Sequence, residues 1–412
     1  MAKDGRESVV LKLKRAVQEH GDLISLGTYA QCLFDSGEVA ESRQTFEAAL
    51  AKTAAPPLTP PSLRRAYAHY AACYATLCEA TQDWRRGDEL YVLAFAAHAN
   101  CPYALGNYPN FLGAAKRPPD EIEAAFLRAV EAHPGLVSVL VKYGNFLRHA
   151  RQSAPRAEAM LKRALELDPG HADALASVAV LLHACRPDDP EVGDLYARAV
   201  SADPAGAKTM SNYGLYLSEV RRDYAAARRI YEAALAVEPR HANSAYNFAV
   251  MLDAALDEVP AAVAMYERAI EAQPNHAYAL YNLAVIYEEK LVDRPRAGML
   301  YRAAIAAAPD DAMATADLGR FLAQELAVAA RPGGSKGRGG GAPDFSEAEA
   351  LLRRALALDS VSATAHAALG EIRHHQGEPS QARALLKLAN QADANNTAAR
   401  RLASLLGDSK KR

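Results

Sequence analysis

AYALYNLAVIYEEKLVDRPRAGMLYRAAIAAAP, residues 277–309, is the stretch from which the fold is read. Leu280, Leu283, Ala284 and Tyr287 recur at helical spacing and define one apolar face. Asp293 and Pro295 interrupt that pattern. Aspartate caps helix N-termini well, and proline is tolerated in a first turn, where its missing N–H would have been unpaired. A second face follows in Ala297, Tyr301, Ala304 and Ile305, and Pro309 ends it. The unit is an antiparallel helix pair, and neither helix can bury its stripe alone.

Outward from this unit the pattern repeats. Pro134, Pro169, Pro204, Pro239, Pro274 and Pro309 stand 35 residues apart. Tyr196, Tyr231, Tyr266 and Tyr301 keep the same step, as do Asn212, Asn247 and Asn282. A period in this range marks stacked repeats, each burying its neighbour's face. A small column (Ala129, Ala164, Ala199, Ala234, Ala269, Ala304, Ala355, Ala389) runs beside a large one (Phe126, Leu161, Tyr196, Tyr231, Tyr266, Tyr301, Leu352, Leu386). A methyl in the first lets two helices approach, and the second fills the space beside it.

Leu140, Tyr143, Gly144 and Leu147 in one unit, and Met210, Tyr213, Gly214 and Leu217 in another, match the first half of the tetratricopeptide pattern W-x2-L-G-x2-Y. Ala227, Tyr231 and Pro239, then Ala262, Tyr266 and Pro274, match its second half, A-x3-F and P. The chain resembles a tetratricopeptide-repeat (TPR) protein with a 35-residue variant of the repeat, the extra residue falling between the two helices. Pentatricopeptide RNA readers use a similar period, but endings such as Ala164-Leu165-Glu166-Leu167-Asp168-Pro169 resemble TPR better. The resemblance implies an all-α fold, a right-handed α-solenoid of stacked antiparallel helix pairs forming a superhelix.

The expected organisation runs in five parts. Residues 1–62 hold a capping helix, with Val10, Leu13 and Val17 turned to a degenerate repeat, and a proline-rich break at 54–62. Residues 63–136 hold further degenerate repeats, one of them, 105–134, shortened. Regular repeats fill 137–309. Residues 310–394 are C-terminal repeats with a Gly-rich inserted loop at 331–344, and 395–412 are a cap and a basic tail.

Composition is ordinary: half hydrophobic, 23% charged, net charge −2. That balance disfavours a general nucleic-acid binder, which carries a basic stripe. No apolar run has the length of a membrane span. Asp4 and Glu7 near the N-terminus, with no apolar core segment, speak against a secretory signal. Cys32, Cys73, Cys78, Cys101 and Cys185 are odd in number and irregular in spacing, so they predict neither a disulfide framework nor a zinc site, and a reducing, cytoplasmic setting. No catalytic motif, cofactor fingerprint or phosphate loop is present; Lys336 lies in the Gly-rich loop without the required spacing. His171, His241 and His276 each follow a proline by two residues. Successive ones are a full repeat, roughly 10 Å, apart, too far to share an ion, so a turn role is expected.

What remains is surface. The resemblance implies that the first helix of each pair lines a concave groove that binds partner segments. Asn212, Asn247 and Asn282 stand at one place on three such helices, with Lys142, Ser177 and Asp317 there in flanking repeats. Asparagine is a mediocre helix former, so propensity does not account for the row. Its amides could hydrogen-bond an extended backbone. Tyr246, Tyr278 and Tyr281 lie beside the row, and Lys208, Asn243 and Arg320 add polar contacts, with Asp317. The alternative is that these side chains bond neighbouring helices. The carboxylate clamp found in the family is missing: before Asn247 the preceding helix offers Ser211 and Leu215 where lysine and asparagine are needed.

These observations predict a non-enzymatic scaffold, its partners other proteins, binding a peptide or helical segment in the groove. A structural subunit packed along its flank in a large assembly is the alternative, and a helical-repeat RNA-processing factor is disfavoured by the charge balance.

Overall fold

The computed structural model describes residues 2–52, 60–329 and 343–408. The described part of the proline-rich break is thus only 60–62; the rest of it, most of the Gly-rich loop and the basic tail lie outside these residues. Every regular element among the described residues is an α-helix. By compactness the chain divides into two units, Met1–Ala202 and Asp203–Arg412, and the boundary falls inside the regular 35-residue run.

The first unit opens with α1 (Ala2–Glu19), whose Val10, Leu13 and Val17 are half-buried, and α1 packs on α2, as a cap should. Five pairs follow: α2–α3 (Leu23–Asp35, Val39–Ala51), α4–α5 (Pro61–Ala80, Trp84–Ala97), α6–α7 (Pro102–Ala114, Pro119–Ala132), α8–α9 (Val137–His149, Ala154–Leu167) and α10–α11 (Ala172–Cys185, Glu191–Ala202). The α6–α7 pair is not shortened: its first helix starts at Pro102 rather than Leu105 and matches α8 in length. Proline supplies its first turn and Pro109 lies inside it, which hid the helix from a periodicity reading.

The second unit holds α12–α13 (Ala207–Glu219, Tyr224–Val237), α14–α15 (Ala242–Ala254, Val259–Ala272), α16–α17 (Ala277–Glu289, Arg294–Ala307), α18–α19 (Ala312–Ala329, Ser346–Leu358), α20–α21 (Ala363–His375, Pro379–Ala392) and the cap α22 (Thr397–Asp408). Each first helix packs on its own partner, and first helices stack on one another, as α12 does on α14 and α18 on α20. α18 and α19, which flank the Gly-rich segment in sequence, pack as one pair.

The core is the alternation of small and large side chains. Tyr196, Tyr231, Tyr266 and Tyr301 are buried to the last percent or two, and the alanine column beside them is equally inaccessible. Tyr231 stacks on Phe248 with ring centroids 5.5 Å apart. Gly214 faces Tyr231 so closely that a methyl there would sit 2.7 Å from the ring. Glycine in this place lets a tyrosine stand where Gly144 and Gly319 accommodate a leucine.

The thirty-fifth residue sits in the turn between the helices. α20 and α21 are joined by three residues, 376–378, with Gly377 at φ +81°, and α22 begins 34 residues after α20. α12–α13, α14–α15 and α16–α17 are joined by four, and the third of these is left-handed: Arg222, Asp257 and Val292, at φ +53°, +52° and +55°. Their first helices start at 207, 242 and 277, and the next first helix, α18, at 312, each 35 residues after the last. Aspartate tolerates this conformation, but a β-branched valine adopts it only under strain.

Five of the turns between repeats are also tied by an arginine. A helix end leaves carbonyls without intrahelical partners. Arg163 and Arg198 donate from Nη2 to the carbonyls of Pro134 and Pro169, and Arg268 from Nε to that of Pro239, each at 3.0 Å. Arg128 does the same to Ala99, and Arg354 to Pro309. The donor always stands on the second helix of the following repeat, one position before the small alanine. The repeating proline therefore both ends a helix and presents an acceptor to its neighbour.

Candidate functional site

The face made by α12, α14 and the start of α16 carries a cleft of about 450 Å³. The helix starts place its walls. His241 and His276 are N-caps: Nδ1 of each accepts the backbone N–H three residues on, from Ser244 and Ala279, both at 3.2 Å. His171 does the same for Ala174 at 3.3 Å. The histidines thus serve the turns, as their spacing predicted. Among the described residues no group of side chains could hold a metal ion. Burial pushes the His276 imidazole below its usual value, which keeps the cap neutral.

Of the residues singled out from sequence, Lys208, Asn212, Asn243, Tyr246, Asn247 and Tyr278 line this one cleft. Lys208 is exposed on the first turn of α12, and Asn212 lies one turn on. Tyr278 stands 62% exposed at the rim, its ring centroid 6.4 Å from that of Tyr246. Tyr246 also packs on His276 at 4.9 Å. A second cleft, of about 600 Å³, opens farther along the same two first helices, against Leu215, Val250 and Met251. Tyr246 and Asn247 border both clefts.

The asparagine row is not uniform. Asn247 donates from Nδ2 to Ser211 Oγ at 3.3 Å. Asn282 donates to Tyr266 OH at 3.3 Å and to Tyr246 OH at 3.5 Å, so it braces the tyrosine that divides the clefts. Asn212 makes no side-chain hydrogen bond among the described residues, which leaves its amide to the cleft. Burial pushes the Tyr246 phenol up, and the Asn282 bond acts the other way.

Tyr281, Asp317 and Arg320 are brought together elsewhere, in a network whose other members sequence reading missed. Arg320 grips Glu288 with both Nη atoms at 2.8 Å and donates from Nε to Asp317 at 3.1 Å. Tyr301 OH donates to Glu288 at 2.7 Å and Tyr281 OH to Asp317 at 2.7 Å. Burial tends to raise the Glu288 carboxyl, but the guanidinium outweighs it and holds the group below the ordinary carboxylate range. Burial tends to lower Arg320, and Glu288 and Asp317 together hold it raised. These charges answer one another, so this cluster faces inward chemically while the cleft at Tyr246 offers unanswered groups. Ser211, His241, Gln273, Asn275, His276 and Ala277 are the cleft residues that the sequence did not assign to it; the two histidines were visible but read as turn residues alone.

Among the described residues no helix is long and apolar enough to cross a membrane. The cysteines are free, with Cys73, Cys78 and Cys101 buried.

Two family models described as tetratricopeptide repeat match the chain, over residues 265–292 and 341–406. No curated protein sequence matches it. Similar solved structures include YrrB, described as a TPR protein with an unusual peptide-binding site, at 21% identity over 47% of this chain and 96% of that one, TM-score 0.35. PilF of Pseudomonas aeruginosa matches at 20% identity over 59% of this chain and 97% of that one, TM-score 0.46. Yeast Tom70 matches at 14% identity over 99% of this chain and 93% of that one, TM-score 0.45. The stacked helix pairs carry the repeat's small and large columns, and the matched segments fall on α15–α16 and on α19–α22: the chain contains tetratricopeptide repeats.

Proposed function

We propose that the chain is a non-enzymatic interaction scaffold that binds an extended segment of a partner protein across α12, α14 and the start of α16. The observation that carries this reading is the pair of clefts meeting at Tyr246 and Asn247. Pockets of a few hundred Å³ joined along one face suit alternate side chains of an extended chain, with amides between them for its backbone. The unbonded amide of Asn212 and the exposed ring of Tyr278 support the same reading, since neither has an internal role that would fix it there. Tyr281, Asp317 and Arg320 drop out as direct contacts and become supports for the neighbouring repeat.

The test is affinity purification with mass spectrometry from wild type and from the combined variant Asn212→Ala/Asn247→Ala/Tyr246→Ala, after circular dichroism has shown equal helicity. Selective loss of a partner from the variant is the expected result. An unchanged set of partners would refute binding at this face and direct attention to the second helices.

A further inference from the structure

The chemistry of the first cleft is one-sided. Lys208 is exposed and forms no ion pair among the described residues. His241 and His276 both line the cleft. Because Nδ1 of each ring accepts a backbone N–H, the neutral ring carries its proton on Nε2, and that N–H has no hydrogen-bond partner among the described residues. The amides of Asn212, Asn243 and Asn247 add further N–H groups. No aspartate or glutamate stands among the residues lining this cleft, although the chain as a whole carries net charge −2. A concave site with a free ammonium, two imidazole N–H donors and no carboxylate is complementary to an anion rich in acceptors.

The second cleft differs. Leu215, Val250 and Met251 line it with apolar surface beside the charged Glu219 and Arg222 at its rim, and a segment leaving the first cleft reaches it by passing over Tyr246 and Asn247. A chain that continues past the first cleft offers a side chain there, not its terminus.

Resting on the binding reading above, we propose that the first cleft seats an aspartate or glutamate side chain of the partner segment at Lys208, and that an aliphatic side chain of the same segment fills the second cleft. The carboxylate takes the ammonium and the imidazole N–H donors, and the segment's backbone takes the amides of Asn212 and Asn247. Recognition is then a two-point code, one acidic and one aliphatic residue at a fixed separation.

A positional-scanning array of extended peptides, capped at both ends so that no terminal carboxylate is present, tests this with the full chain. Phosphoserine is included at every position. Wild type is compared with Lys208→Ala, Lys208→Glu, Tyr246→Ala and Asn247→Ala; Lys208 is exposed, so its variants are expected to keep their helicity. Wild type selects Asp or Glu at one position and an aliphatic residue at a fixed offset. Lys208→Ala weakens the acidic peptides about tenfold, and Lys208→Glu turns the selection to Lys or Arg while the aliphatic preference stays. Acid-indifferent binding that is lost in Tyr246→Ala and Asn247→Ala would overturn the acidic site and leave the groove standing. Phosphoserine preferred over glutamate would overturn the carboxylate. Binding insensitive to all four variants, or no peptide bound, would overturn the groove as well.

Discussion

Replacing Arg320 by methionine removes the cation on which Glu288 depends. The Glu288 side chain is 7% exposed and that of Arg320 15%, so water replaces little of what is lost. Glu288 keeps only the Tyr301 hydroxyl, and Asp317 only that of Tyr281. Breaking a buried pair from one side costs ~3–5 kcal/mol, because a charge is left without its partner. An array of repeats opens locally rather than all at once, so the readout is hydrogen exchange of backbone amides in α16 and α18, measured on the full chain by mass spectrometry. The expected effect is exchange faster by roughly two to four decades there, since each tenfold is worth ~1.36 kcal/mol, with little change in α20–α22. A double variant, Arg320→Met/Glu288→Leu, removes both charges and is expected to recover most of the loss. The acid response follows from the same bonds. The Glu288 carboxyl is depressed in the folded chain, so its contribution is complete above its ordinary value of 4.5 and disappears as pH falls through the folded value. An effect of Arg320→Met below ~1 kcal/mol, the level of an exposed ion pair, would refute the reasoning, as would a double variant no better than the single one.

Three further changes probe the repeat itself. Ala234→Leu forces a branched side chain against the buried tyrosine column and is expected to cost ~1–3 kcal/mol, read as a lower melting temperature; an unchanged one would contradict the packing register. Val292→Gly relieves a β-branched residue at φ +55° on an exposed turn and is expected to stabilise by ~1 kcal/mol, seen as a higher urea midpoint. His276 is depressed by burial and caps α16 only when neutral, so its contribution is full above its ordinary value of 6.5 and is lost as pH falls from there toward the folded value. Replacing it by asparagine, which caps without titrating, is expected to abolish that part of the dependence in hydrogen exchange at α16.

The fold was legible because one signal repeated. Proline, tyrosine and alanine at fixed steps identify the helix pairs, the buried columns and the place of the extra residue. The left-handed turn residue was not legible: glycine announces it at Gly377, whereas Arg222 and Val292 carry no such mark and take the conformation because the four-residue turn demands it. The arginines at 163, 198 and 268 were in plain view, but a charged residue on a solvated helix face reads as surface until its carbonyl acceptor is placed 29 residues earlier. The cleft was partly legible. Lys208, Asn212 and Tyr246 come from a register argument that the geometry also gathers. Arg320 and Asp317 satisfied the same register, yet Glu288, on the preceding first helix, captures them. A one-dimensional pattern gives the address of a side chain, and its partners are set by which charges the stacking brings within reach.

The arginine ties have a mechanical consequence for the cleft. In the second unit, Arg268 secures the turn at Pro239 and Arg354 the turn at Pro309, but the equivalent donor for the turn at Pro274 would stand at position 303, which is alanine. That turn carries Gln273, Asn275 and His276, one whole rim of the cleft. There Arg240 of the preceding turn reaches the Glu271 carbonyl at 3.4 Å as a weaker substitute, and the turn at Pro204 lacks the donor too, position 233 being alanine. Fastening along the second unit is therefore uneven, firm at Pro239 and Pro309 and lighter at Pro204 and Pro274, so a guest of imperfect fit meets its give at those turns rather than in the packed columns.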